Sequence, residues 1–147
     1  MRIAIISSCG GHLTEVQCLK SAYEIYQHFY VLNDRVLLPE DMKDKTYFIS
    51  HSERDWKFLM NLWEAFKILK KERPHVILST GAGPVVPFAV VGRLFFHTYV
   101  IYVETITKIS SPSLTGRIMR WLAHSCFYQW ESLKPFFPSG EYGGLVL

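Results

Sequence analysis

Apolar residues recur along this chain in two alternating periods. Residues 2–7 (Arg-Ile-Ala-Ile-Ile-Ser) are almost continuously apolar, which predicts a strand buried on both faces. From 11 to about 27, apolar side chains return at Leu13, Val16, Leu19, Ala22, Tyr23 and Tyr26. Spacings of three and four predict one amphipathic helix. Residues 28–32 form a second predicted strand, the polar segment 33–45 with Pro39 a loop, and 46–50 a short third strand. Residues 55–71 predict a helix with Trp56, Leu59, Met60, Trp63, Phe66 and Leu69 on one side; Trp56, Phe58, Trp63 and Phe66 are expected mostly in the core. Lys and Arg gather at its end and Pro74 stops it.

The alternation continues. Strands are expected at 75–79, 99–103 and 125–129, and helices at 85–96 and 113–123, with Pro84 tolerated in a first helical turn. Residues 105–112 and 133–140 read as loops, and 144–147 as a short apolar tail. This rhythm predicts an α/β fold: one Rossmann-like domain over 1–147, with an open, mostly parallel sheet and helices on both faces.

Two glycine loops stand between a strand and a helix, Ser8-Cys9-Gly10-Gly11-His12 and Thr80-Gly81-Ala82-Gly83-Pro84. Helix N-termini carry N–H groups without intrahelical partners and favour negative charge, so each loop suits an anionic or polar ligand. Gly10 and Gly11 also serve a plain turn. With Glu104 and Gln129, both loops fall just after predicted strands, and ligands of open α/β sheets bind at that edge; Glu104 either faces that cleft or pairs with Lys108 or Arg117. His12 is a candidate general base or hydrogen-bond donor, or else a capping ring. Glu15 either orients His12, takes up a hydroxyl, or complements the helix dipole.

Composition narrows the ligand. The 147 residues are 49% hydrophobic and 20% charged with a net charge of +3, a mild basicity that suits an anionic ligand or lipid but not nucleic acid. Cys9, Cys18 and Cys126 match neither a disulfide framework nor a metal site; Cys9 and Cys126 are expected to be small buried residues in a reducing cytoplasm. The N-terminus lacks a signal-peptide layout, and the apolar stretch 85–103 is broken by Gly92, Arg93, His97 and Thr98, so no spanning helix is expected. Leu94, Phe95, Phe96, Phe88 and Trp121 beside Arg93, Arg117 and Arg120 form a candidate basic-aromatic membrane patch, although ordinary packing is the favoured reading for most of them. A dinucleotide-binding fold is disfavoured: Gly-Gly-His lacks the G-x-G-x-x-G spacing, and Asn33-Asp34 is a poor ribose-binding acid.

Taken together, Ser8-Cys9-Gly10-Gly11-His12 with Glu15, Ser79-Thr80-Gly81-Ala82-Gly83-Pro84 with Pro87, Val103-Glu104-Thr105, Ser113-Leu114-Thr115-Gly116-Arg117, Gln129-Trp130 and Tyr142-Gly143-Gly144-Leu145-Val146 resemble the PssD family of bacterial polysaccharide biosynthesis proteins. That family is similar to the acceptor-side subunit of the eukaryotic two-subunit UDP-N-acetylglucosamine transferase and to the N-terminal half of MurG, a GT-B glycosyltransferase. The chain departs from the pattern at Glu131, where proline is common, and at Lys108, where arginine is common.

The resemblance implies a metal-independent, inverting transferase divided between two chains, without a cofactor. This chain is then the acceptor-side half, and a PssE-like catalytic partner holds the UDP-sugar donor. The implied substrate is a polyprenyl-diphosphate-linked sugar, in capsular or exopolysaccharide synthesis, with peripheral contact on the inner face of the cell membrane. His12, Glu15 and Glu104 become catalytic candidates. Ser8, Cys9, Gly10, Gly11, Gly81, Ala82, Gly83 and Arg117 become phosphate- or substrate-binding candidates. Gln129, Trp130, Leu145, Val146 and Leu147 become candidates for partner contact. The alternative is a non-catalytic scaffold that recruits and activates the partner at the membrane.

Overall fold

The computed structural model describes residues 1–33, 38–49 and 57–146, the side chains at 57 and 58 excepted. Asp34, Ser50, Asp55, Trp56 and Leu147, and the side chain of Phe58, therefore lie outside the described residues. The strands are β1 (Arg2–Ser7), β2 (Gln27–Leu32), β3 (Thr46–Phe48), β4 (Val76–Ser79), β5 (Tyr99–Val103), β6 (Ser125–Tyr128) and β7 (Glu141–Tyr142). They form one sheet in the order β3-β2-β1-β4-β5-β6-β7, and every neighbouring pair is parallel. The expected Rossmann-like sheet is what the chain forms.

Helices cover the two faces unequally. On one face, α4 (Lys57–Glu72), α5 (Val85–Phe96) and α6 (Leu114–Leu122) bury Ala65, Leu69, Phe88, Ala89 and Met119 against Ala4, Ile6, Ile77, Val100 and Tyr102. On the other, α1 (Gly11–Cys18), α2 (Lys20–Tyr23) and the single turn α3 (Glu40–Lys43) place Val16, Tyr23 and Met42 against Ile3, Ile5, Tyr30 and Leu32. No described helix lies over β4 to β6 on this second face. A groove of about 440 Å³ remains there, lined by Leu78, Ile101, Val103, Phe127 and Val146 among others.

The structure corrects three local expectations. The predicted helix over 11–27 is two short helices, because the chain tightens at Leu19, whose N–H bonds to the Val16 carbonyl. The bend lets Tyr23 bury its ring edge-on against His28 and Tyr30. The expected loop at 33–45 contains α3. The expected loop at 133–140 begins as a 3₁₀ helix, Glu131–Phe136, and leads into β7, which extends the sheet by one short, exposed strand.

Candidate functional site

The strand order reverses between β1 and β4, and the two glycine loops leave the carboxyl ends of these adjacent strands. Gly10 closes the first loop at φ +94°, a backbone conformation that favours glycine, and its carbonyl accepts the first bonds of α1, from Leu13 and Thr14. His12 therefore stands in the first turn of a helix aimed at the switch point. Two bonds stitch it to the second loop: His12 Nδ1 lies 2.8 Å from the Thr80 carbonyl, and the Thr80 hydroxyl donates to the His12 carbonyl at 2.9 Å. Gly81, at φ +104°, lets the ring come close against the main chain. A Cβ at that position would sit 3.1 Å from His12 Cε1.

This packing fixes the proton arrangement. A carbonyl only accepts, so Nδ1 carries the hydrogen and Nε2 is left as the basic nitrogen of the neutral ring. Glu15, only 6% exposed, lies one turn on, with Oε2 at 3.5 Å from Nδ1. The Nδ1 hydrogen goes to Thr80, so Oε2 acts on the ring by charge and has no hydrogen-bond donor of its own among the described residues. Its other oxygen, Oε1, accepts from the Ile106 N–H at 2.6 Å and from Gln129 Nε2 at 3.2 Å. The Glu15 carboxylate raises the His12 pKa; burial opposes it and the Thr80 carbonyl adds to it. For Glu15 itself, burial pushes the pKa up, but the ring, the Ile106 N–H and Thr105 outweigh it, and the carboxyl stays below its usual range.

Glu104 does something different from what its position at the end of β5 predicts. It neither faces a cleft nor pairs with Lys108 or Arg117. It is 0% exposed, and its carboxylate accepts from the backbone N–H groups of Thr105 and Ser113 and from the Tyr102 hydroxyl. Burial raises its pKa against these bonds. Glu104 thus ties together the two ends of the 105–113 loop, whose Ile106 holds Glu15. α6 packs directly on it: a Cβ at Gly116 would fall 1.7 Å from Glu104 Oε2. Ser113 caps this helix by accepting from the Gly116 N–H. Sequence reading passed over Gly116 as a site-shaping residue. The available signal was a glycine inside a helix, which is unfavourable unless something needs the space.

The remaining candidates divide. Gly10 and Gly11 are exposed at the start of α1, with Ser8 and Cys9 half-buried beside them. Ala82 is buried and Gly83 exposed. Arg117 is exposed on α6. Gln129 is 1% exposed and faces inward, so its side chain is not placed to meet a partner. Trp130 is half-buried and donates from Nε1 to the Ile106 carbonyl. Leu145 is exposed, whereas Val146 packs on the apolar groove and donates its N–H to Gln129 Oε1. Cys126 is buried, and burial pushes its thiol up to about 11. No cluster of three His, Cys, Asp or Glu side chains that would suit a metal occurs among the described residues.

Apolar side chains gather on the outer faces of α4 to α6. Phe88 is core, but Trp63, expected inside, is 59% exposed and stacks on Phe66 with Lys67 Nζ 5.0 Å over its ring. Leu59 and Phe95 line an open furrow beside it, and Leu94 is exposed at the end of α5. On α6, Leu114, Ile118 and Trp121 (73% exposed) share one helical face. Arg93 donates to the Trp121 and Leu122 carbonyls at the end of α6. No described helix is long and apolar enough to cross a membrane.

Comparison with known proteins places this architecture. A family model described as "Oligosaccharide biosynthesis protein Alg14 like" matches residues 44–146. The UDP-N-acetylglucosamine transferase subunit ALG14 of Mus musculus is 24% identical over all of this chain and 83% of its own length. Among solved structures, MurG of Acinetobacter baumannii superposes with a TM-score of 0.76 over 96% of this chain at 15% identity. A UDP-GlcNAc 2-epimerase from Methanocaldococcus jannaschii gives 0.70 over 94% at 17% identity. This chain spans less than half of either structure, 44% and 43%, so the likeness is to one half of a two-domain GT-B architecture.

Proposed function

This chain belongs to the Alg14-like family of oligosaccharide biosynthesis proteins, and from that membership we propose that it is one subunit of a two-component, UDP-sugar-dependent glycosyltransferase. It presents a polyprenyl-diphosphate-linked sugar acceptor, and a PssE-like partner subunit binds the UDP-sugar across the cleft. The observation that carries the reading is the His12–Thr80 bond, which commits Nδ1 and leaves Nε2 free to take a proton at the switch point. The acceptor hydroxyl oxygen bonds to the anomeric carbon, and its proton passes to His12 Nε2. The bond from that carbon to the diphosphate breaks, and UDP leaves with the electron pair. In-line attack inverts the anomeric centre. The N–H groups opening α1 and the Gly81-Ala82-Gly83 loop face the diphosphate side and stabilise developing negative charge.

The partner completes the site and docks along the uncovered face of β4 to β6 and the tail at Leu145 and Val146, where an apolar groove stands open. The exposed apolar faces of α4 to α6, with Lys67, Arg93 and Arg120 near them, hold the complex peripherally on the inner face of the cell membrane. The setting is capsular or exopolysaccharide assembly. That same face also favours a second reading, a scaffold that recruits the partner without supplying a catalytic group.

One assay separates the two readings. Transfer from a UDP-sugar to a polyprenyl-diphosphate sugar is followed for this chain alone, for the pair, and for the pair carrying His12→Gln. Activity is expected only in the pair, with turnover lost and the complex intact in the variant. Full activity from the isolated chain overturns the two-component division. Unchanged turnover with His12→Gln establishes the scaffold.

A further inference from the structure

The buried Gln129 amide connects the candidate site to the C-terminal tail. Its orientation is settled by its partners. Nε2 donates to Glu15 Oε1 at 3.2 Å and to the Glu104 carbonyl at 3.0 Å, both pure acceptors, while Oε1 accepts from the Val146 N–H at 2.7 Å. Turning the amide over would set its NH₂ against the Val146 N–H and its oxygen against two acceptors. The Val146 N–H and the two acceptors thus impose the same orientation, and the Val146 bond anchors the oxygen end of the amide whose nitrogen end holds Glu15. Gln129 and the Ile106 N–H both fall on Oε1, so Oε2 remains the oxygen turned to the His12 ring.

We propose that Gln129 is a positioning residue that couples the tail at Val146 to the His12–Glu15 pair, so that the tail's placement sets how firmly the imidazole holds its proton. When the Val146 N–H leaves Oε1, the amide loses the bond that anchors it, its hold on Glu15 Oε1 slackens, and the Glu15 carboxylate, no longer fixed in its aim, acts less strongly on the His12 ring. Among the described residues, the groups that face the ring are few. Glu15 comes from its own helix, and the Glu104 charge reaches it from the end of β5; the Thr80 carbonyl and Gly81 come from the loop after β4. Among the described groups that hold these in place, Gln129 is the one seen to reach the tail. Val146 also lines the apolar groove, so anything that moves the tail acts on the far end of this chain of bonds. The consequence for transfer rests on the function proposed for His12; the coupling does not.

The test is the His12 titration, followed by NMR of the imidazole carbon-bound protons on the full chain without partner or sugar. The chain has six histidines, and the resonance lost in His12→Gln assigns the signal. Val146→Pro deletes the N–H, whereas Val146→Ala keeps it and trims the packing. Val146→Pro is expected to lower the His12 midpoint by about half a pH unit, roughly threefold in proton affinity, and Val146→Ala to leave it in place. Gln129→Leu lowers it likewise and decides the matter if the proline variant does not fold. In a Glu15→Gln background the proline substitution has no further effect, since the intermediary is gone. An unmoved midpoint in Val146→Pro or Gln129→Leu, an equal shift in Val146→Ala, or a shift that survives Glu15→Gln each overturns the coupling. None of these results depends on transfer activity, so failure here leaves the proposed function standing or falling on its own assay.

Discussion

The imidazole of His12 and the carbonyl of Thr80 meet at 2.8 Å across the point where the strand order reverses. A residue at the start of a helix is thereby locked to the end of a different strand, with one tautomer imposed. If Nε2 is the base, His12→Gln lowers kcat by about 10²–10⁴-fold in the assembled enzyme, the usual contribution of a positioned general base. Copurification of the partner with the variant, measured beside the kinetics, is expected to be unchanged.

Gly81 and Gly83 read alike in the sequence and differ in the structure. Gly81 has φ +104° and the His12 ring where a side chain would go; Gly83 has an ordinary φ and nothing within 4 Å. Gly81→Ala is expected to displace the ring and destabilise the chain by roughly 1–3 kcal/mol through strain and overpacking. Gly83→Ala leaves the unfolding midpoint in urea near that of the parent. Equal effects of the two substitutions count against the packing described.

Gly116→Ala reverses the usual sign of its substitution. In an exposed helix, replacing glycine by alanine stabilises by about 1 kcal/mol. Here the new methyl would fall 1.7 Å from Glu104 Oε2. That carboxylate is held by Thr105, Ser113 and Tyr102 and has no room to retreat. A loss of roughly 1–3 kcal/mol in chemical denaturation is expected.

The pH dependence of the His12–Glu15 pair has a definite sign. His12 has a raised pKa, so its contribution to stability is full below its ordinary value of 6.5 and is lost as pH rises through the raised value. Glu15 has a lowered pKa; its contribution is full above 4.5 and is lost as pH falls through the lowered value. Both are complete between those two ordinary values. A general base must be neutral, however, so transfer is expected to rise with pH through the raised His12 value, where the pair's stabilisation fades. Glu15→Gln moves that acid limb to lower pH. A pH–rate profile of the complex, set beside thermal unfolding across pH for the same two proteins, checks both halves.

Much of this was legible because burial imposes a period. The continuous Ile and Ala of β1 and the three-and-four spacing of α4 have few alternatives, and the glycine loops fall after strands because the fold needs sharp exits there. The break at Leu19 left no trace, since both halves of the split helix keep the same apolar spacing. β7 was invisible: Glu141 and Tyr142 are both exposed, and backbone pairing joins them to the sheet with only the Tyr142 ring against Tyr128 beside it. Gln129 and Glu104 were misread for a common reason. A polar residue at a strand end looks available to a ligand, and only the contacts reveal that backbone donors and acceptors have already taken it.

The outer faces of α4 to α6 give the last prediction. Burying a large apolar side chain is worth about 1.5–3 kcal/mol, and Trp63 and Trp121 stand largely in solvent on α4 and α6, the helices on either side of α5. If this face rests on lipid, Trp63→Ser and Trp121→Ser each weaken binding to anionic vesicles by about tenfold, the equivalent of about 1.4 kcal/mol. Ile25 is as exposed, but lies outside these helices just past α2, so Ile25→Ser provides the control. The basic residues make the binding fall with added salt, while the apolar contribution persists. Equal retention of all three variants on the vesicles would leave the face without a membrane role.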